Sequence, residues 1–516
     1  MFHARKTELF MRNHLLTILA LFLCSMAQAQ FLTGLEGSAY GGVSAVTFNP
    51  AIANSPFVAD INLVGVSASV NNNYIGIDRK YLLHPTSTSN FQNDFLHERL
   101  NGNNKNAYFG MQLQGPLSFM FSFGNKKKPN KNAIAITYHT NFIFNADNVS
   151  ETLARSAYYG MGSQADAVTH FVGKSLSNAN LGIKTLAWND FGITYSRVVY
   201  EKDLTTIKVG GTLKILQPLI GGYVYSSNLN YKWPELNSLS INRTNISYAY
   251  SQGLITSRQY APQDIAKSLP SYAKDVLNYK YATPTAAVDM GVVYELRPDK
   301  DDRGEQMNCG GSWSGYIPKP YKLAVGVSVI DFGAIRFKRG EYSGNFNADV
   351  QNWDVSHVKF PNGVQSVDDT IRSRFRLLQD NKGYFTMWLP TRFNLFVDYN
   401  IWHGLGVMGT AIISPNMSPN GNMVHQVSVF TGTAKYENKW FGAYIPVSVD
   451  VYGNMGLGMT LRAGPLVIGT QDILCLFAKK YVYNAEVHAS VKITIPYFKT
   501  YHKYDVRFAK KTGRGM

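Results

Sequence analysis

The chain has 516 residues and a formal charge of +16, with charged residues at 16% of the total, below the roughly 25% usual in a soluble domain. It holds 32 Tyr and 29 Phe but three Cys, which excludes a disulfide framework. After residue 29 no uninterrupted apolar run approaches the ~20 residues of a membrane-spanning helix, and no linker or low-complexity break divides the chain.

Arg5, Lys6 and Arg12 precede an apolar run over 15–23, and Ala27-Gln28-Ala29 follows. A basic start, a short apolar centre and an A-x-A site describe a secretory signal peptide over 1–29, cleaved before Gln30. Met11 begins a complete signal of its own, and Leu23 before Cys24 excludes a lipoprotein signal. Loss of the segment lowers the charge to +14 and leaves Cys309 and Cys475. The chain is thus expected to be exported.

Residues 30–57 form a second unit. Gly41 and Gly42 let the backbone fold back without a Cβ penalty. Asn49 suits an N-cap and Pro50 a first helical position, so a single helical turn is expected over 49–53. Ala51 completes an Asn-Pro-Ala step. The unit is too short and broken to span anything, and it ends where the first alternating segment begins.

From residue 58 the pattern is alternation. Val487, Ala489, Val491, Ile493 and Ile495 interleave with Glu486, His488, Ser490, Lys492 and Thr494. In a strand this makes one face apolar and the other polar. Fourteen such strands are expected, near 58–70, 107–123, 132–144, 187–200, 205–216, 284–297, 320–336, 385–401, 404–413, 424–435, 440–452, 455–462, 466–476 and 485–497. Short connections at 125–130, 201–203, 402–403, 436–439 and 463–465 fall on one side. Long stretches at 71–106, 145–186, 217–283 and 337–384 fall on the other, with 298–319 an exception. An even count with short periplasmic turns and long extracellular loops describes an all-β, transmembrane antiparallel β-barrel over 58–498, with 12 or 16 strands as the neighbouring counts. Segment 30–57 would then be a hatch inside its periplasmic mouth, and 499–516 a mobile basic periplasmic tail.

The chemistry-bearing residues are few. Lys208, Lys214, Arg392, Asp398, Glu486, His488 and Lys492 belong on the lumen face, because a lysine facing lipid at mid-membrane costs about 2–4 kcal/mol. They form either a network of lumen ion pairs or a basic patch for a carboxylate head group. The acidic run over 299–305 lacks the spacing of a calcium loop, and the basic run over 125–131 is a hydrated turn. Histidine spacing offers no metal pair, no nucleophile motif stands out, and export argues against nucleic acid. No cofactor, metal site or enzymatic activity is expected, and Cys309 and Cys475 should lie at opposite membrane faces, too far apart to bond.

The stretch GGVSAVTFNPA over 41–51 resembles the N-terminal hatch motif of the FadL-like family of outer-membrane channels, with Asn49, Pro50 and Ala51 at the family's Asn-Pro-Ala step. The stretches YKLAVGVSVIDFGAIRF (321–337) and GLGMTLRAGPLVIGTQDIL (456–474) resemble a FadL-related family of Bacteroidetes barrels without an assigned function. The resemblance implies a fourteen-stranded barrel in the cell outer membrane of a Gram-negative bacterium. It implies either a channel for hydrophobic or amphipathic small molecules, or a non-transporting barrel that docks a secreted, periplasmic or cell-surface partner. Outer-membrane lipid and lipopolysaccharide would surround it. An apolar cavity under loops 71–106 and 145–186 would mark the channel; a packed lumen with an exposed aromatic patch would mark the docking barrel.

Overall fold

The computed structural model describes residues 33–500 except 39, 54–56, 84–94, 116–117, 126–127, 160–170, 203, 236, 253–282, 298–304, 309–312, 318–320, 341–342, 356–369, 381–382, 403, 418–420, 439 and 496. The expected signal peptide, Cys309, nearly all of the acidic run and the tail beyond Thr500 lie outside the described residues.

Fourteen staves make the wall. They are β1 (Ala59–Asn72), β2 (Lys105–Gln114 and Ser118–Asn125), β3 (Lys128–Val149), β4 (Ser175–Lys202), β5 (Thr205–Glu235), β6 (Thr285–Leu296) and β7 (Leu323–Lys338). The ring continues with β8 (Tyr384–Trp388 and Arg392–Trp402), β9 (Leu405–Ile413), β10 (Val429–Glu437), β11 (Phe441–Asp450), β12 (Met455–Leu457 and Met459–Ala463), β13 (Leu466–Thr470) and β14 (Asn484–Ile495). Each pairs antiparallel with the next, and β14 closes on β1 from Ala59↔Ile495 to Asn71↔Asn484. Closure leaves no strand edge in the wall, which a sheet surrounded by lipid requires.

The sidedness of the strands is inverted relative to a soluble sheet. On β14 Glu486, His488 and Lys492 are buried while Ile493 is exposed. Leu395 and Val397 on β8 and Ile445 and Val447 on β11 are likewise exposed, with the next residues, Asp398 and Ser448, buried. Apolar side chains point outward because the surrounding solvent is hydrocarbon. At the short-turn end Tyr200, Tyr294, Tyr399, Trp402, Tyr436 and Trp440 are all exposed, forming the aromatic girdle expected at a membrane interface. The molecule is a transmembrane β-barrel, with no membrane-spanning helix among the described residues.

Several boundaries differ from those the sequence suggested. Strands β4 and β5 run 28 and 31 residues, so much of 145–186 and 217–283 is strand rather than loop. Beyond the lipid the outward face carries Ser177, Asn180, Ser227 and Asn228, and apolar alternation no longer marks a strand. There Ser238–Tyr250 folds back on β5, Gly344–Asp354 pairs with it, and Arg376–Asp380 pairs with that strand in turn. Trp233, Ile241, Tyr248, Phe346 and Phe375 give this crown its own apolar core, with Tyr248 stacked on Phe346 at 5.4 Å between centroids. Residues 424–428, expected in a strand, precede β10, and 471–476, expected in strand thirteen, follow β13; Cys475 lies there in the short helix Leu474–Phe477 and is free. The last barrel strand stops at Ile495, before Pro496, which has no N–H for a ladder. Tyr497–Thr500 instead pairs with Trp313–Ile317, which pairs with Glu305–Asn308, so the first tail residues join a small sheet at the short-turn end.

Candidate functional site: a barrel closed by two inserted segments

The described residues of 33–57 lie inside the short-turn half of the barrel. Two short 3-10 turns, Gly42–Thr47 and Pro50–Ala53, compact the segment. Asn49 Oδ1 accepts from the Ala51 N–H at 3.0 Å, capping the second turn. The amide of Asn49 donates to two wall carbonyls, Val292 on β6 at 3.3 Å and Val327 on β7 at 3.1 Å. Gly42 takes a left-handed φ of 61°, and Asp60 on β1 fills the space where its Cβ would lie. Gly41 N–H donates to Ser38 at 3.1 Å, closing the preceding turn.

The wall holds this segment from many directions. Ser328 donates to the Phe48 carbonyl at 2.6 Å and Asn394 to the same oxygen at 2.8 Å. Arg392 reaches the Thr47 carbonyl, Ser196 the Ala51 carbonyl, Thr460 the Thr33 carbonyl and Tyr321 the Gly37 carbonyl. Lys492, 1% exposed, donates to the carbonyls of Tyr40 and Gly41. Two apolar walls complete the seat: Phe48 and Ala51 against Val293 and Phe396, and Val43, Val46 and Ala53 against Met120, Ala133 and Ala135. The hatch is therefore a docked part of the interior.

Buried ion pairs surround it at several heights. Lys208 pairs with Glu295 at 2.6 Å. Lys214 bridges Asp289 at 2.9 Å and Asp331 at 2.5 Å, and Arg392 meets the other oxygen of Asp331. Asp398 accepts from Lys435 at 2.6 Å and Tyr321 at 2.7 Å, while Lys435 also reaches Glu437 at 2.7 Å. Glu486 pairs with His488 at 2.7 Å, and His488 touches Thr460 through its second nitrogen. All seven charges singled out from the sequence are buried in the interior, in separate groups around the wall. Their cations are engaged by acids or by hatch carbonyls, so they do not form an open basic patch for a carboxylate head group.

The acids that complete these groups, Asp289, Asp331, Glu295, Lys435's partner Glu437 and the hatch contact Asp60, were not anticipated. Asp289 and Glu295 sit at inward positions of β6 and could have been found by alternation alone. Asp331 could not: it has φ 58° within β7, where the pairing with β6 slips one position, and Ile330 and Asp331 are consecutively buried. That bulge aims the carboxylate inward out of phase with the strand.

At the long-loop end the interior turns apolar. Ile143, Leu186, Trp188, Leu216, Ile335, Phe337, Phe385 and Met387 line it, and Val424 and Val427 fill the space between them. These two belong to the β9–β10 connection, whose residues 421–428 dip into the barrel. Asn145 on β3 clamps the His425 backbone from both sides, donating to its carbonyl at 3.0 Å and accepting from its N–H at 2.9 Å. The His425 ring meets Asp147 at 2.9 Å, and Lys184 meets the same carboxylate at 2.9 Å. A cavity of ≈ 50 Å³ remains between the layers, bordered by Thr33, Glu36, Ser69, Tyr108, Gln426 and Val427. It has room for a few waters, not for a lipid-sized solute.

A family model described as a family of unknown function (DUF5723) matches residues 50–471. The chain belongs to this family. No curated protein matches it. Among solved structures the DUF5723 chain is similar to a TodX monoaromatic hydrocarbon channel in its deltaS2S3 mutant form, at 9% identity over 93% of this chain and 98% of that one, with a TM-score of 0.36. It is also similar to a Pseudomonas aeruginosa FadL homologue, at 10% identity over 88% and 94% with a TM-score of 0.35. A third is the translocator domain of the autotransporter NalP from Neisseria meningitidis, at 7% identity over 84% and 88% with a TM-score of 0.26. Likeness at this level adds nothing to the closed ring that the strand pairing itself demonstrates.

Proposed function

We propose that this barrel is an outer-membrane channel for small hydrophobic or amphipathic molecules, held shut by the hatch and by residues 421–428. The observation that carries this reading is the apolar lining of the long-loop half. Water-filled porin interiors are polar, whereas here Ile143, Leu186, Leu216, Ile335 and Phe337 face inward and are covered in part by Val424 and Val427. A hydrophobic solute can replace those two side chains against the same wall, keeping the apolar surface out of water. An ion entering there would lose its hydration with nothing to replace it.

The latch at Asn145 makes the reading testable. Asn145→Ala removes both hydrogen bonds to the His425 backbone, a loss of about 1–3 kcal/mol. Uptake of a neutral aromatic probe into proteoliposomes should rise several-fold in the variant while uptake of a sugar of equal size stays low. Equal, background-level flux of the aromatic probe in parent and variant would sink the channel reading.

A second reading is favoured by the closed interior and by the crown's independent core. The barrel would then be a platform for a secreted or surface partner, with no transport. It predicts no probe flux from either protein, and a partner interaction that disappears when the crown core is opened by Phe346→Ala.

A further inference from the structure

Strands β7 and β8 carry a feature on their lipid side that neither reading uses. Leu323 pairs with Tyr399 in the short-turn girdle, and eleven residues along β7 Ala334 pairs with Trp388. At about 3.4 Å per residue and a tilt near 40°, those levels lie roughly 28 Å apart, close to the ~25 Å height of a barrel's apolar band. Trp388, exposed on the outer face, therefore marks the outer interface. The next outward positions above it are Arg336, paired with Thr386, and Lys338, paired with Tyr384. Arg336 stacks on the Tyr384 ring at 4.4 Å, which fixes its guanidinium at this height. At the loop end of β4 and β5 the paired outward residues Ile183 and Val224 are instead uncharged.

We infer that Arg336, Lys338, Tyr384 and Trp388 form a binding site for the phosphate of a lipid A-class glycolipid in the outer leaflet. A planar guanidinium and a neighbouring ammonium suit a phosphate monoester. Phe332, exposed one step below on β7, and Trp388 offer apolar contact to the acyl chains just beneath the head group. Two cations at the depth of the glycolipid phosphates meet the opposite charge there and little competition from the barrel's interior acids, which lie on the other face of the wall. The inference rests on the outer-membrane location proposed above and not on transport, and the experiment uses purified protein so that the two stand or fall separately.

The test is lipid retention by native mass spectrometry, using the full chain in detergent with bis-phosphorylated lipid A, its dephosphorylated form, and phosphatidylethanolamine. The parent should retain lipid A and release the dephosphorylated form. Arg336→Gln with Lys338→Gln should lower lipid A retention about tenfold to thirtyfold, at roughly one tenth of the affinity or less per pair of surface charges removed, and leave phosphatidylethanolamine retention unchanged. Equal lipid A retention by parent and variant overturns the site, as does equal retention of both lipid A forms by the parent. If the double variant fails to assemble, Lys338→Gln alone alters one exposed side chain and should cost about fivefold; no loss there overturns the site as well.

Discussion

Gly210 on β5 and Gly291 on β6 face each other across the pair, and the hatch lies where their side chains would be. A Cβ on Gly210 would stand 2.5 Å from the Ala51 nitrogen and from the Pro50 carbonyl carbon, and one on Gly291 would stand 2.1 Å from Asn49 Oδ1. Neither glycine is needed for the strand itself; the need is close approach of the Asn49-Pro50-Ala51 backbone. The Asn-Pro-Ala step is readable in the sequence, but its two receiving glycines are indistinguishable there from the other 42. Gly210→Ala is expected to spare the barrel and loosen the hatch by about 1–3 kcal/mol, the usual cost of overpacking. Limited proteolysis should then cut within 33–57 faster than in the parent while the barrel band survives. Unchanged cutting would mean the hatch is not seated on Gly210.

At the scale of elements, the hatch carries a buried acid with a consequence for pH. Burial pushes the Glu36 carboxyl up to about 8, against the N–H bond from Gly34, with the charge of Glu486 adding to the rise. A carboxyl whose docked pKa lies above its free value stabilises docking fully below the free pKa, near 4.5, and loses that contribution as pH rises through about 8. Hatch amides should therefore exchange faster at pH 9 than at pH 5 by more than the intrinsic base-catalysed rate, and Glu36→Gln should flatten the difference. A parent with no excess exchange at pH 9 would contradict the buried, neutral carboxyl. Glu36 was invisible to sequence reasoning because nothing in its neighbourhood alternates. The strands, by contrast, were legible wherever lipid dictated every second residue, as on β5, β11 and β14. The dip of residues 421–428 was not: Val424, Gln426 and Ser428 alternate with His425 and Val427 as a strand would. The parallel contact between Met423 and Trp388, which an antiparallel wall cannot contain, and Asn145's clamp on the His425 backbone show that the segment has left the sheet.

For the molecule as a whole, the deciding fact is that hydrocarbon is the outer solvent, so charges that a soluble sheet would show to water turn inward. Arg392 and Phe393 are neighbours on β8, yet Arg392 is buried on Asp331 and Phe393 is exposed to lipid. The outward series Phe393, Leu395, Val397 and Tyr399 descends from near the middle of the apolar band to the short-turn girdle, since Tyr399 pairs with Leu323 and Trp388 lies at the opposite interface. A lipid-facing arginine costs about 2–4 kcal/mol at the midplane and about 0–1 near the interface. Arginine placed at each of the four positions in turn should thus destabilise most at Phe393 and least at Tyr399, falling in steps through Leu395 and Val397. Reversible guanidinium unfolding in liposomes reads that gradient directly. It also checks the depth scale that puts Trp388 at the outer interface and Arg336 and Lys338 beside the lipid phosphates. A flat series, with Tyr399→Arg as costly as Phe393→Arg, would mean that packing against neighbouring side chains rather than membrane depth sets the cost, and the girdle would have to be placed elsewhere on the wall.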